Sequence, residues 1–343
     1  MKKWISLALA LMLALSSAAA LADGSITVFN WYDYIDEEVL ALFTEETGIK
    51  VKYACFTTNE EMYAKLSAGA GSYDVICPSD YIIERLIADG QLEKLNFDNI
   101  PNFENVIEWM KTPDYDPTGE YSVPYMWGTV GILYNTDYVD EEITSWDCLF
   151  NGQYKRDVFM LDSIRDSIGI SMKYLGYPLN DRSDEALEAV RQLLLKQKED
   201  GIVKGYLVDE TKDKMVAGEA AIAVMWSGDA LYAMSEADNL AYVVPMEGSN
   251  IWLDGMCIPK GAANKEGAEK FINFLCRTDI ARRNMEYIYY STPIQTVVDG
   301  MTEEEKNNLT LNPSQDIVDR CEFFQDIQQD IDKYDKVWMD VRS

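Results

Sequence analysis

Histidine is absent from all 343 residues. That removes Ser-His-Asp and Cys-His catalysis, imidazole metal ligation and imidazole pH sensing together. Basic residues are scarce too: 30 Lys and Arg stand against 59 Asp and Glu, a formal net charge of −29. A field of that sign repels nucleic acid and anionic membranes and attracts cations. The six cysteines, at 55, 77, 148, 257, 276 and 321, form no C-x-x-C and no other short spacing. Cys77 and Cys257 lie in apolar runs, where a thiol behaves as a small hydrophobe. Mostly buried, unpaired thiols are expected. There is no low-complexity tract and no repeat of short period.

A long apolar run occurs only at the start. Lys2 and Lys3 precede residues 5–15, and small residues follow to Ala20-Leu21-Ala22. This is a charged n-region, an apolar h-region and an A-x-A site, so residues 1–22 are expected to be a cleaved signal peptide. The run is short for a membrane anchor, and no Cys follows it to carry a lipid. Without Lys2 and Lys3, 28 basic residues face 59 acidic ones, a net charge near −31. The exported remainder, about 320 residues, exceeds what one core usually fills, and two lobes are expected.

Strand and helix signals alternate along the chain. Residues 25–30 read as a strand, Asp36 as the cap of a helix with Glu37 and Glu38 in its first turn, and Gly48 as its stop. A strand at 49–53 completes a βαβ unit, which implies a parallel pair. A helix opens at Thr58 or Asn59 and ends at Gly69, a strand covers 74–77, and a turn at Pro78-Ser79-Asp80-Tyr81 leads into another helix. The segment DYDPTGE loosely resembles a calcium loop, but Tyr125 stands where the last acid belongs, and it reads as turns. Residues 122–135, SVPYMWGTVGILYN, are two extended runs broken at Gly128 and Gly131 that cross from one lobe to the other. A second α/β pattern follows, with a strand at 157–161, helices from Ser163 and over 183–199, and a strand at 220–225. Residues 251–258 are the return crossing, and a helix spans 265–276. Lobe 1 is expected at 23–129 with 252–300, and lobe 2 at 130–251 with 301–343. At least two crossings join the halves, a connectivity that suits a hinge.

The stretch ITVFNWYDYIDEEVLALF sets a pattern that recurs. The strand ending at Asn30 is followed by Trp31, Asp33 and Tyr34; that at Cys77 by Ser79, Asp80 and Tyr81. The strand ending at Leu161 is followed by Asp162, Ser163 and Asp166, and that at Met225 by Trp226, Ser227 and Asp229. The return crossing carries Trp252 and Asp254, and a later turn Tyr289, Tyr290 and Ser291. Ligands of open parallel α/β sheets sit beyond the carboxyl ends of the strands, so these residues are expected to converge. Taken singly, each is more often a core edge or a helix cap. Aromatic faces attract cations and accept methylene chains, and carboxylates pair with ammonium groups. The set holds no Lys or Arg except Arg165, which helical spacing can turn away from Asp166. A small cation with apolar stretches between its charges fits.

Two alternatives use the same residue types. Glycosidases flank the scissile bond with two acids, but several acids compete here and none is marked as desolvated. Sugar binders pair Trp with Asp but add Asn, Gln, Arg or Lys, which are sparse in the set. With no histidine, affinity is expected to be flat between pH 6 and 8.

NWYDYI, TGIKVKY, YDVICPSDY, YSVPYMWGTVGI, the MWSGDA run, WLDGMCIPKGAANKEGAEKFINFL and the YYSTPI turn together resemble the spermidine/putrescine-binding subunits of bacterial polyamine ABC importers, over nearly the whole mature chain. The resemblance implies a periplasmic, two-lobed α/β protein of the periplasmic-binding-protein type II fold. It implies a ligand cleft between lobes hinged on crossing strands, no cofactor, no metal and no enzymatic activity. A monomer, it would pass its polyamine to a membrane permease. Carried over, Trp31, Tyr34, Trp226, Trp252 and Tyr290 would form an aromatic box. Asp254 would hold a central amine and Asp33 and Asp166 the ends, with Ser79 and Tyr81 lining the first lobe. Spermidine-type members have a second carboxylate where this chain has Ser163, whereas Asp229 matches putrescine-type members. Gln325 lies in a loosely aligned tail.

Overall fold

The computed structural model describes residues 24–69 and 72–343; the signal peptide expected at 1–22 lies outside them. Nine strands carry the architecture: β1 (Ser25–Trp31), β2 (Lys50–Phe56), β3 (Val75–Ile76), β4 (Ser122–Asn135), β5 (Val158–Leu161), β6 (Val203–Leu207), β7 (Ile222–Trp226), β8 (Leu240–Val243) and β9 (Ile251–Cys257). They run in the order β2-β1-β3-β9-β4-β7-β5-β6, with β8 also on β4. The expected βαβ unit holds: β1 and β2 are parallel. Between them Asp36 caps helix Glu37–Thr47, and Gly48 ends it at a φ of 73°. Sequence punctuation set these boundaries, because cap and stop residues satisfy backbone groups that the helix itself leaves free.

Two main cores form. Ile26, Phe29, Phe43, Ile76, Ile83 and Phe271 belong to the first, and Val130, Trp146, Val158, Ile168, Val190 and Val224 to the second. A smaller cluster with Leu133, Phe159, Met215 and Met225 completes the second half. β4 serves both. Its first part pairs with β9 through Thr129, and its last part with β7 and β8 from Val130 onward. The expected break at Gly128 and Gly131 is absent, and β4 is one strand of 14 residues. These glycines mark close packing instead, a common use of glycine within strands. A Cβ on Gly128 would stand 2.7 Å from the Trp252 ring, and one on Gly131 would stand 2.5 Å from the ring of Tyr242.

Among the described residues three segments pass between the halves, as the expected lobe division requires, and they are tied side by side. Val130 N donates to Asn250 O at 3.1 Å, Ile251 N to Glu322 O at 3.0 Å, and Glu322 N to Ser249 O at 2.9 Å. The third passage corrects the boundary drawn at 300. Met301 is buried in the first core with Leu311 and Val318 against it, and the chain changes sides only between Phe323 and Ile327. Ser291 Oγ fixes the excursion by donating to Leu311 O at 2.6 Å. Polar, weakly periodic residues in this stretch give no sequence signal for which core they join. As expected, the cysteines are free, with Cys77, Cys148, Cys257 and Cys276 buried.

Candidate binding cleft

The turn after β1 sorts its own side chains. Buried Asn30 accepts from Trp31 N at 2.8 Å through Oδ1 and donates to Tyr34 O at 3.4 Å through Nδ2. Tyr125 Oη holds the same Tyr34 carbonyl at 2.7 Å. Asp33 takes a φ of 52°, a left-handed conformation that Asp tolerates better than most residues. Tyr34 consequently points inward, only 6 % exposed, while Asp33 faces solvent and accepts from Tyr287 Oη at 3.1 Å.

The turn after β3 brings Ser79 and Asp80. Ser79 is the N-cap of helix Asp80–Ala88, yet its hydroxyl makes no cap bond. It donates instead to Asp254 Oδ1 at 2.7 Å, while Tyr34 Oη donates to Asp254 Oδ2 at 2.8 Å. Asp80, 1 % exposed, accepts from Tyr81 N at 2.7 Å and Leu253 N at 3.4 Å, which ties this helix start to β9. Tyr81 is occupied at its tip, donating to Glu60 at 3.0 Å and accepting from Asn59 at 3.1 Å.

In the second half, Ser163 caps helix Ile164–Tyr174 and donates to Asp166 Oδ2 at 2.6 Å. The Trp226 side chain also favours the ionised form of Asp166. Trp226 itself is the N-cap of helix Ser227–Glu236. Asp229, in that helix's first turn, accepts from Tyr290 Oη at 3.4 Å. Tyr290 then joins the halves, with its ring 4.9 Å from Trp252 and 6.0 Å from Tyr34, both edge-on. Among the described residues, the buried indole Nε1 atoms of Trp31 and Trp252 find no partner.

Burial controls the electrostatics. It pushes the Asp254 carboxyl up to about 6, against the lowering effect of the Ser79 and Tyr34 hydroxyls. It pushes Asp166 up to about 6 as well, opposed by Ser163, Arg165 and Trp226. Asp80 is raised well above the usual range by burial, with the Asp254 charge adding to it. Asp229 is raised by burial and relieved by Lys212. Desolvated acids, none of which the sequence marked, are therefore a property of this cleft.

Tyr34, Ser79, Asp254, Tyr290, Trp252 and Asp229 form one connected group, with Asp80 beside it, and Ser163, Asp166 and Trp226 form a second. Asp33 is joined to neither. Trp31 packs on Phe56 with ring centres 4.6 Å apart, and Gln325 is exposed with its side chain taken by Arg182 at 3.3 Å. Besides Arg165, one further basic residue reaches the set. Lys212 Nζ lies 3.6 Å from Asp229 Oδ1. Arg165 makes no ion pair with Asp166 but is buried beside Tyr81: it is 8 % exposed, its guanidinium 5.0 Å from the Tyr81 ring centre and 4.4 Å from that of Phe324. Lys212 sits in a polar helix, Glu210–Val216, among several lysines and acids, and no spacing singles it out. Tyr125 was equally hidden inside the crossing strand.

What this arrangement can do is neutralise positive charge away from water between aromatic edges. The family profile described as bacterial extracellular solute-binding protein matches residues 38–311. A spermidine/putrescine-binding periplasmic protein of Salmonella typhimurium is 33 % identical over 100 % of this chain and 99 % of its own length. A putrescine-binding periplasmic protein of Pseudomonas aeruginosa is 33 % identical, covering 95 % of each. Among solved structures, the spermidine/putrescine ABC transporter substrate-binding protein of Streptococcus pneumoniae superposes with a TM-score of 0.84 at 36 % identity, over 93 % of this chain and 98 % of that one. With profile, full-length relatives and fold in agreement, the chain belongs to the bacterial extracellular solute-binding proteins, in the branch of the spermidine/putrescine-binding periplasmic proteins.

Proposed function

We propose that this protein captures a polyamine, spermidine or putrescine, outside the cytoplasm and delivers it to the permease of an ABC importer. The observation that carries this reading is Asp254. Its carboxylate is 4 % exposed and is held by two hydroxyls, and it has no ion pair among the described residues. A buried anion with neutral partners and aromatic neighbours is costly until a cation completes it. Asp166 repeats the condition, 5 % exposed with the Ser163 hydroxyl as its hydrogen-bonding partner and no ion pair among the described residues. The names of the relatives favour an amine over a carbohydrate.

In this reading the ligand lies between lobe 1, residues 24–129 with 251–323, and lobe 2, residues 130–250 with 324–343. Tyr34, Tyr290, Trp252 and Trp226 flank its methylenes, Asp254 and Asp166 take its ammonium groups, and Ser79 positions Asp254. Trp31 and Tyr81 border the cleft. Contacts made by both lobes favour the closed state, because a ligand shifts such an equilibrium by its differential affinity. The protein binds and releases its ligand without chemistry. It acts as an exported monomer, freed of residues 1–22, with no nucleic-acid partner. The test is a titration of ligand-stripped protein with spermidine, putrescine, agmatine and a neutral oligosaccharide, followed by tryptophan fluorescence and calorimetry. Saturable binding of a polyamine is expected. Response to the sugar and silence toward every amine would overturn the reading.

A further inference from the structure

We propose that Lys212 is a built-in ammonium that occupies the Asp229 end of the cleft and so limits how many amines the ligand can carry; this inference rests on the polyamine reading. Its Nζ lies 3.6 Å from Asp229 Oδ1 and 5.3 Å from the centre of the Tyr232 ring. A carboxylate on one side and an aromatic face on the other is the environment that a ligand's terminal amine would need. The position is continuous with the centre of the cleft. Asp229 bonds Tyr290, Tyr290 packs on Tyr34 and Trp252, and Tyr34 bonds Asp254. Lys212 and Asp229 are both largely covered, with side chains 31 % and 23 % exposed.

The charge count then differs along the cleft. Asp254 and Asp166 lack an ion pair among the described residues, whereas Asp229 is already paired. Two carboxylates match the two ammonium groups of a diamine. A third ammonium arriving at Asp229 meets a like charge close by, in surroundings where water screens it weakly. It must displace Lys212, which then loses its partner. Asp209, whose charge also acts on Asp229, offers the displaced lysine a second, exposed anion. The lysine thus acts as a specificity determinant that disfavours a triamine relative to a diamine.

The experiment compares putrescine and spermidine affinities of the wild-type protein with those of Lys212→Met, by calorimetry at fixed ionic strength. The lysine-free protein is expected to gain at least about tenfold in spermidine affinity while putrescine changes by less than about threefold, because only the longer ligand reaches Asp229. Adding Asp229→Asn to Lys212→Met is expected to cancel the gain. Lys212→Gln serves as a second neutral variant if the Met protein is poorly folded. A spermidine-to-putrescine ratio that moves by less than about threefold in a folded neutral variant overturns the role of Lys212 and leaves the polyamine reading standing. Wild-type protein that binds neither amine overturns both.

Discussion

Tyr34 donates to Asp254 at 2.8 Å from 220 positions away in the chain, joining the turn after β1 to the middle of β9. With Ser79 on the other oxygen, the carboxylate is fixed in place before any ligand arrives. Its hydroxyl partners orient it without neutralising it. Asp254→Asn should therefore fold normally and bind polyamines more than about 100-fold more weakly, since losing one member of a buried charge pair costs roughly 3–5 kcal/mol. A calorimetric loss below tenfold would remove Asp254 from the centre of the site.

Burial makes binding pH-dependent in a window that the missing histidine does not suggest. Asp254 and Asp166 of the ligand-free protein sit at about 6, and an ammonium ligand requires both ionised. Affinity should be level above about pH 7 and fall about 100-fold between pH 7 and pH 5, about tenfold for each carboxylate. The flat profile expected down to pH 6 thus bends at its lower end. Ligand-free stability runs the other way. Folded-state values above the ordinary 3.8 of an aspartate mean that the native protein binds more protons, so stability falls as pH rises from about 4 to about 6. Each acid then costs roughly 3 kcal/mol of stability at neutral pH. Denaturant midpoints across pH 4–8 check this, and Asp166→Asn with Asp254→Asn should flatten the curve.

Gly228 lets the Tyr290 ring lie on helix Ser227–Glu236. A Cβ there would stand 2.4 Å from ring carbons of Tyr290. Gly228→Ala should push that ring away, uncouple Asp229 from Tyr34 and weaken binding at least about tenfold, while overpacking costs about 1–3 kcal/mol of stability. Unchanged affinity in a folded variant would show that Tyr290 is not a wall of the cleft.

Arg165 binds three aromatic rings from different parts of the chain, Tyr81, Phe324 and Tyr334, and donates to Gln325 O at 3.0 Å. A desolvated cation over an aromatic ring contributes about 2 kcal/mol, and a charged hydrogen bond adds about 1.5–3 kcal/mol. Arg165→Met keeps the stem and loses both, so it should lower stability by about 3.5–5 kcal/mol by urea denaturation. Arg165→Lys should not recover it, because a lysine lacks the planar face. Full recovery by Lys would reduce the role of Arg165 to its charge.

Much of this was legible because short-range chemistry carried it. Asp36 and Gly48 bound a helix through groups within four residues, and strand-end aromatics such as Trp226 landed where parallel strands terminate. Tyr34, Ser79 and Asp254 converged as expected. The rest needed three-dimensional information. Asp33 was turned outward by the left-handed turn that aimed Tyr34 inward, a choice made by Asn30 and Tyr125. Residues 301–318 joined the first core through contacts distant in sequence. Lys212 and Arg165 look like ordinary surface residues until folding covers them, and desolvation of Asp166 and Asp254 is a property of their surroundings.

The ties among Val130, Asn250, Ile251 and Glu322 bear on the mechanics of the molecule. Three strips of backbone fastened edge to edge bend readily across their width but resist twisting and shear, as a leaf hinge does. A single loop would leave the halves free to swivel in several directions. Strips tied in this way would confine an opening of the cleft to about one angle, which is what a surface sensing its occupancy would have to read.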